Sequence, residues 1–286
     1  YGRSHFLFFI APLLAISTST LTCVSASGIT YPPPTGNPLG TNRAFRICAK
    51  ILIPILNSIT ERDWQGVENI PQSGRAIVAS NHISYSDVLF FTQFLYQNGR
   101  APRFLGKESV FRIPIIGRIV LAAEQIPVDR ESKDAHKALD HAIACLAAGH
   151  LLGIYPEGTL TRDENLWPMV AKTGIARLAV ITKTPVIPVA AWGPQRVLPP
   201  YSRRIHLWPR TRMSYHAGPP VDLSAWHGQE NDPQAMAQAT ALIMKALTTM
   251  LAEMRGEQAP LLPFDPHASD LPKTGNFKKT RRAEKK

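Results

Sequence analysis

Short runs that are apolar throughout alternate along this chain with stretches of helical periodicity, and that alternation constrains the fold more than any other feature. A run with no polar alternate suits a strand buried on both faces, and parallel strands of that kind need helical crossovers between them. Residues 76–79, 151–155 and 186–191 read as such strands. Between them, 87–96 and 174–182 read as helices, and Ala135, Leu139, Ala142, Ile143 and Leu146 keep helical spacing up to a stop at Gly149. Asp232 followed by Pro233 opens a long helix in which Met236, Ile243, Leu247, Met250, Leu251 and Met254 share one face as far as Gly256. Those methionines read as core. The expected fold is α/β: a single domain with a central, largely parallel sheet covered by helices, preceded by an amphipathic membrane-associated helical segment. The chain has 25 prolines, mostly between apolar runs, which favours a sheet-containing domain over a helix bundle, and there is no internal repeat.

The two ends differ from this body. Between Arg3 and Arg43 no side chain is charged if His5 is neutral, and residues 6–16 resemble a signal-peptide core or a short membrane anchor. Val24-Ser25-Ala26 offers a small-residue cleavage site, yet Ser, Thr and Cys dilute the second half of the segment and make it a poor spanning helix. A real targeting segment and an extension foreign to the domain both fit. Residues 31–40, rich in Pro and Gly, read as a linker. From Lys273 onward seven basic residues and one Glu contribute +6 of the net +11, so the rest carries only about +5, too dispersed for a nucleic-acid groove. Cys23, Cys48 and Cys145 show neither disulfide nor zinc spacing and read as reduced thiols.

In residues 43–59, Arg43, Arg46 and Lys50 lie among Phe45, Ile47, Ile51, Leu52, Ile55 and Leu56, with Pro54 expected to kink or divide the helix. Periodicity fits a helix lying on an anionic bilayer and a helix capping the core equally well.

The sharpest local feature is Ser80-Asn81-His82-Ile83-Ser84-Tyr85-Ser86-Asp87, directly after a strand, where open α/β sheets place their ligands. A histidine can accept a hydroxyl proton near neutrality, and a carboxylate on its other ring nitrogen fixes the tautomer and steadies the imidazolium. Asp87 also suits a plain helix cap. The chain has no G-x-S-x-G elbow, no H-E-x-x-H pair and no phosphate-binding G-x-x-x-x-G-K-[ST] loop. A His and Asp without a protein nucleophile suit a reaction in which the substrate's own hydroxyl attacks, that is, group transfer to an alcohol. Two later segments bear on what that alcohol carries. Residues 124–130 end in the guanidinium of Arg130, whose fork matches a phosphate, and in 154–162 a strand runs into Gly158, Thr159 and Arg162.

Taken together and in this order, the segments resemble the lysophosphatidic acid acyltransferase family of glycerophospholipid acyltransferases. Asn81-His82 through Asp87 is similar to the family's N-H-x-x-x-x-D motif, Ile126 to Arg130 to its second block, Pro156-Glu157-Gly158-Thr159 to its third and Val186-Ile187-Pro188-Val189 to its fourth. The likeness runs from about Arg43 to about Leu223. Many members carry Arg directly after the Glu-Gly-Thr triplet, whereas here Leu160 holds that place and the basic residue is displaced to Arg162.

The resemblance implies that His82 is general base on the free glycerol hydroxyl of lysophosphatidate, with Asp87 orienting it. The hydroxyl attacks an acyl thioester of coenzyme A or acyl carrier protein, and phosphatidate forms without an acyl-enzyme, a metal or a cofactor. Arg130, Glu157, Gly158, Thr159 and Arg162 would line the acceptor's phosphate site, with Lys107 where the family often has a lysine. It divides the chain into 1–40, an anchor-like segment and linker; 41–256, an acyltransferase domain whose residues 41–60 are the amphipathic helix; and 257–286, a disordered basic tail. It also places the protein on the cytoplasmic face of the cell membrane, monotopic or peripheral, with the lipid bilayer, a lysophospholipid acceptor and an acyl thioester donor as partners and no nucleic acid. Arg103, Lys107, Arg112 and Arg118 among Phe104, Val110, Phe111, Ile113, Ile115, Ile116 and Ile119 suit a surface pressed against anionic lipid, or a buried hairpin with solvated arginines. The rival readings are another acceptor (glycerol 3-phosphate, a larger lysophospholipid or a glycolipid), a non-catalytic peripheral membrane protein, and a thioester hydrolase.

Overall fold

The computed structural model describes residues 31–128, 135–266 and 268. The anchor-like residues 1–30, Arg130 and the basic run from Lys273 lie outside them. In chain order the elements are α1 (Arg43–Ile59), β1 (Thr60–Gln65), β2 (Ala76–Ser80), α2 (Asp87–Gln97), β3 (Pro102–Lys107), α3 (Glu108–Phe111), α4 (Ile116–Ala122), β4 (Ile126–Val128), α5 (Ala135–Ala147), β5 (Leu151–Ile154), α6 (Gly174–Thr182), β6 (Val186–Trp192), α7 (Pro194–Val197), β7 (Thr211–Ala217) and α8 (Pro233–Arg255).

Seven strands form one sheet in the order β1-β7-β6-β2-β5-β3-β4, parallel except where β7 runs against β6. The central strand β2 is buried at every position, as its unbroken apolar sequence requires. Its Ile77 and Ala79 pack with Leu152, Val186 and the apolar faces of α5, α6 and α8. Its Ala76 and Val78 face the other way, onto Phe90, Phe91, Phe94 and Leu95 of α2 and Leu56 of α1. The result is a single three-layer α/β domain, as the alternation of runs predicts. Four strands carry no such run. β1, β3, β4 and β7 are held by register with their neighbours, and β1 and β4 are edges.

α1 begins where Asn42 Oδ1 accepts the Phe45 amide at 2.8 Å, and it runs unbroken past Pro54. Pro54 and Lys50 both lie on the exposed face, so the carbonyl that loses its partner turns to water and the helix is not divided. α8 is long and apolar enough, at 23 residues, to cross a membrane by length and composition alone. Its Met236, Ala239, Ile243, Leu247 and Leu251 are nevertheless buried against the sheet and its neighbouring helices, which makes it a core helix, capped by Asp232 and ended by Gly256 in the left-handed region.

The expected linker is a docked strap. Leu39 bridges to Arg100, Tyr31 hydrogen-bonds His141, and His150 Nε2 donates to the Pro32 carbonyl at 2.6 Å. Arg103, expected on a lipid-facing surface, is buried instead, donating to Gly40 O and paired with Glu124. The apolar residues after it do face out: Val110, Ile113, Ile115, Ile116 and Ile119 are exposed along α3 and α4. The expected tail starts late, because Phe264 still pairs with Met169, its carbonyl accepting from the Val170 amide at 3.0 Å. Cys48 and Cys145 are free thiols; Cys23 lies outside the described residues.

Candidate active site

β2 ends at Ser80, and the chain turns at its carboxyl edge through a loop fixed by its own polar groups. Asn81, fully buried, clasps the neighbouring strand like a base pair: its Nδ2 donates to the Ala191 carbonyl at 3.0 Å and its Oδ1 accepts the Ala191 amide at 2.8 Å. That double bond to β6 aims the next residue, His82, across the sheet edge. Ser84 Oγ then donates to the Leu198 carbonyl at 2.7 Å and accepts the Ser86 amide at 3.1 Å, shaping the turn into α2.

Asp87 is the first residue of α2, yet its carboxylate does not cap that helix. Its Oδ2 accepts from Ile83 N at 2.7 Å, from Ser84 N at 2.9 Å and from His82 Nδ1 at 2.8 Å, all upstream. With Oδ2 an acceptor, Nδ1 carries the proton and Nε2 is the basic nitrogen of the ring. Asp87 is buried whereas the His82 side chain keeps 17% of its surface, so the base end of the pair is open and the orienting end closed.

The loop after β5 supplies the rest. Gly158 turns it at φ +71°, and a Cβ there would meet the Lys172 side chain at 3.2 Å. Glu157 is buried, with Oε1 accepting the His82 amide at 3.1 Å and Oε2 the Met169 amide at 3.0 Å. Burial outweighs those donors and pushes its carboxyl up to about 8. Thr161 N donates to the His82 carbonyl at 2.8 Å, so both main-chain groups of His82 are held by this loop. Tyr155, at the head of the loop, lies flat on the imidazole with ring centroids 4.1 Å apart and planes 18° apart.

The sequence-predicted residues therefore fall into two sets. His82, Asp87, Glu157, Gly158, Thr159 and Arg162 come together at one edge of the sheet. Glu157 has both oxygens engaged by backbone amides, and Arg162 is buried beside Tyr201, whose hydroxyl donates to the Leu160 carbonyl at 2.9 Å. Lys107 ends β3, two strands away from β2, and is exposed; Arg130 lies outside the described residues. Sequence reasoning missed Tyr155, Lys172 and Tyr201. The aromatic residue closing a strand just ahead of Pro156-Glu157-Gly158 was a signal for the first. Nothing local announces the other two, which long-range folding brings in.

Residues 61–192 match the family model for Acyltransferase. A chloroplastic 1-acyl-sn-glycerol-3-phosphate acyltransferase of Brassica napus is 31% identical over 50% of this chain and 40% of its own length. The 1-acyl-sn-glycerol-3-phosphate acyltransferase of Borreliella burgdorferi is 34% identical over 45% of this chain and 50% of its own. The chain thus spans half or less of the length of these two relatives. The 1-acyl-sn-glycerophosphate acyltransferase of Thermotoga maritima has a similar fold, with a TM-score of 0.57 at 21% identity, over 75% of this chain and 81% of that one.

Proposed function

We propose that the protein transfers an acyl group from a thioester to the free glycerol hydroxyl of lysophosphatidate, giving phosphatidate, a reading supported by the match of residues 61–192 to the acyltransferase family model and by the likeness to the 1-acyl-sn-glycerol-3-phosphate acyltransferases. The observation that carries this reading is the His82 Nδ1 to Asp87 Oδ2 contact of 2.8 Å, with the imidazole partly accessible and the carboxylate buried. His82 Nε2 takes the hydroxyl proton as the oxygen attacks the thioester carbonyl. The C–O bond forms, the C–S bond breaks, and the proton passes to the departing thiolate. A thiolate leaves readily, so the step needs neither an acyl-enzyme nor a cofactor beyond the thioester itself, whether of coenzyme A or acyl carrier protein. Asp87 holds the tautomer and offsets the imidazolium charge.

Gly158, Thr159 and Arg162, with Lys107 and Arg130, are the groups we assign to the acceptor phosphate. Glu157 shapes that site through the main chain, since a free carboxylate would repel the phosphate. The domain, with its docked strap and the chain as far as Phe264, rests on the cytoplasmic face of the cell membrane as a monotopic or peripheral protein. The exposed Ile47, Ile51 and Ile55 of α1 and Ile113, Ile115 and Ile119 of α3–α4 supply the apolar contact.

The test is transfer from labelled acyl-CoA, and separately from acyl carrier protein, to lysophosphatidate in detergent, beside His82→Ala and a panel of glycerol 3-phosphate and other lysolipids. Labelled phosphatidate from the wild type, with a loss of about 10³-fold or more in His82→Ala, is the expected result. Transfer only to another acceptor moves the substrate; free fatty acid without any acceptor, or no turnover at all, overturns the reading.

A further inference from the structure

The connection from α7 to β7 carries a strongly exposed apolar tip, and no part of the site uses it. Ile205 is 63% exposed, Leu207 51% and Trp208 85%. Arg203 and Arg204 precede these residues and Arg210 and Arg212 follow them, all exposed. Between Glu164 and Asp222 the sequence contains no acidic residue at all. Arg212 pairs with Asp63 of β1 at 3.0 Å, leaving the local charge strongly positive.

Sheet topology fixes where this tip stands. β2 and β6 are parallel, with Ser80 opposite Val189, so both end at the edge where His82 begins. β7 runs against β6, with Trp192 opposite Ser214, so β7 starts at that same edge. β1 is parallel to β7, with Thr60 opposite Thr211, which brings the carboxyl end of α1 there too. The connection is tied at both feet. Leu198 O accepts from Ser84 Oγ of the His82 loop, and Tyr85 meets Tyr201 edge-on at 6.4 Å. At the other foot Arg210 Nη2 donates to the carbonyls of Asn57 at 3.2 Å and Thr60 at 2.5 Å, closing the end of α1.

We propose that Ile205-His206-Leu207-Trp208 is a bilayer-inserting tip that, with α1, seats the His82 edge of the sheet on an anionic lipid surface. An indole with an apolar body and a polar N–H settles at the level of lipid headgroups, and flanking arginines are drawn to anionic ones. The anchoring of the tip beside the base and beside α1 favours a lipid surface over a protein partner, because it serves a substrate that arrives within the membrane. The inference rests on the lipid-acceptor reading only for its purpose; the insertion can be measured without turnover.

The full chain is sedimented with vesicles of phosphatidylcholine, with and without phosphatidylglycerol, and its tryptophan emission is followed on vesicles of brominated phosphatidylcholine and phosphatidylglycerol. The expected results are stronger binding to the anionic vesicles and bromine quenching that is lost in Trp208→Phe. The variant I205S/L207S/W208S should partition about tenfold more weakly, while its acylation of a short-chain, water-soluble lysophosphatidate stays within about twofold of wild type. Equal quenching in wild type and Trp208→Phe, or equal partition of the triple variant, overturns the proposal. So does self-association that the triple variant abolishes while vesicle binding persists. If the triple variant fails to fold, the Trp208→Phe quenching difference decides alone. An inserting tip on a protein that acylates nothing would sink the proposed function and spare this one; phosphatidate formation without insertion would do the reverse.

Discussion

Glu157 holds His82 by its main chain: one carboxylate oxygen accepts the His82 amide at 3.1 Å and the other the Met169 amide at 3.0 Å. Each oxygen of the side chain thus fixes one of two loops at the sheet edge. Glu157→Gln keeps the shape but turns one acceptor into an NH2 group that faces a backbone N–H. That leaves two donors opposed in a buried place, a loss of about 1–3 kcal/mol. We expect kcat to fall about tenfold to a hundredfold through misplacement of the imidazole. Glu157→Asp, too short to span both amides, should do no better, and steady-state kinetics on lysophosphatidate checks both.

The same side chain makes stability depend on pH. Burial raises the Glu157 carboxyl from 4.5 to about 8, so the folded protein keeps a proton that the unfolded chain releases. Its contribution is full below pH 4.5 and is lost as pH rises towards about 8. His150 acts in the opposite sense: burial takes it from 6.5 down to about 4, so its contribution is present above pH 6.5 and is lost on acidification. Urea unfolding of wild type and Glu157→Gln from acid to pH 8 separates the two. Wild-type stability should fall relative to the variant as pH rises, and parallel curves would contradict the assignment.

Asp87→Asn tests the tautomer. The carboxylate accepts from His82 Nδ1 and from two backbone amides on a single oxygen, whereas an amide can present its NH2 to the ring and move the proton to Nε2. We expect kcat to drop on the order of 10³-fold with only a small change in KM for lysophosphatidate. A loss confined to KM would instead place Asp87 in acceptor binding.

Much of this was legible in the sequence for one physical reason: burial on both faces forces a strand to be apolar throughout. β2, β5 and β6 are therefore visible as runs, and the motif that follows β2 is placed at once. β1, with the sequence Thr60-Glu61-Arg62-Asp63-Trp64-Gln65, and β7 are invisible to that test, because an edge pair draws its stability from register and not from a run. Asp87 was ambiguous between cap and orienter because both roles put a carboxylate at the first turn of a helix. Only the direction of its side chain decides, and three upstream donors set that direction. Arg103 shows the opposite error: an arginine in an apolar run suggested a lipid face, but the acidic partner that lets it be buried, Glu124, arrives from another element.

The stack of Tyr155 on His82 separates ring from hydroxyl. The phenolic oxygen is buried, and among the described residues it has no hydrogen-bond partner, so Tyr155→Phe removes an unsatisfied group and should leave stability equal or up to about 1 kcal/mol higher. Activity should stay near wild type. Tyr155→Leu removes the flat face under the imidazole and should lose about 1 kcal/mol of stacking, with kcat down by about tenfold. Thermal melts and turnover of the two variants side by side check whether the ring, and not the hydroxyl, positions the base.

Arg255 ties the end of α8 to the site loop through two indoles. Its guanidinium carbon lies 4.1 Å from the ring centre of Trp167 and 4.4 Å from that of Trp192, and Nη1 donates to the Asn165 carbonyl at 2.9 Å. Trp167 O in turn accepts from Thr161 Oγ1 at 2.6 Å, and Thr161 N donates to the His82 carbonyl at 2.8 Å, so the clasp reaches the base in a few bonds. A lysine cannot lie flat between two rings, and Arg255→Lys should lower stability by about 1–2 kcal/mol. Arg255→Met keeps the apolar stem but loses the charge and the Asn165 bond. Because the loosened loop carries Gly158, Thr159 and Arg162, KM for lysophosphatidate should rise several-fold while kcat changes by less than about threefold. Urea unfolding and full kinetics on both variants give the two readouts. A fall in stability with unchanged KM would confine Arg255 to the fold.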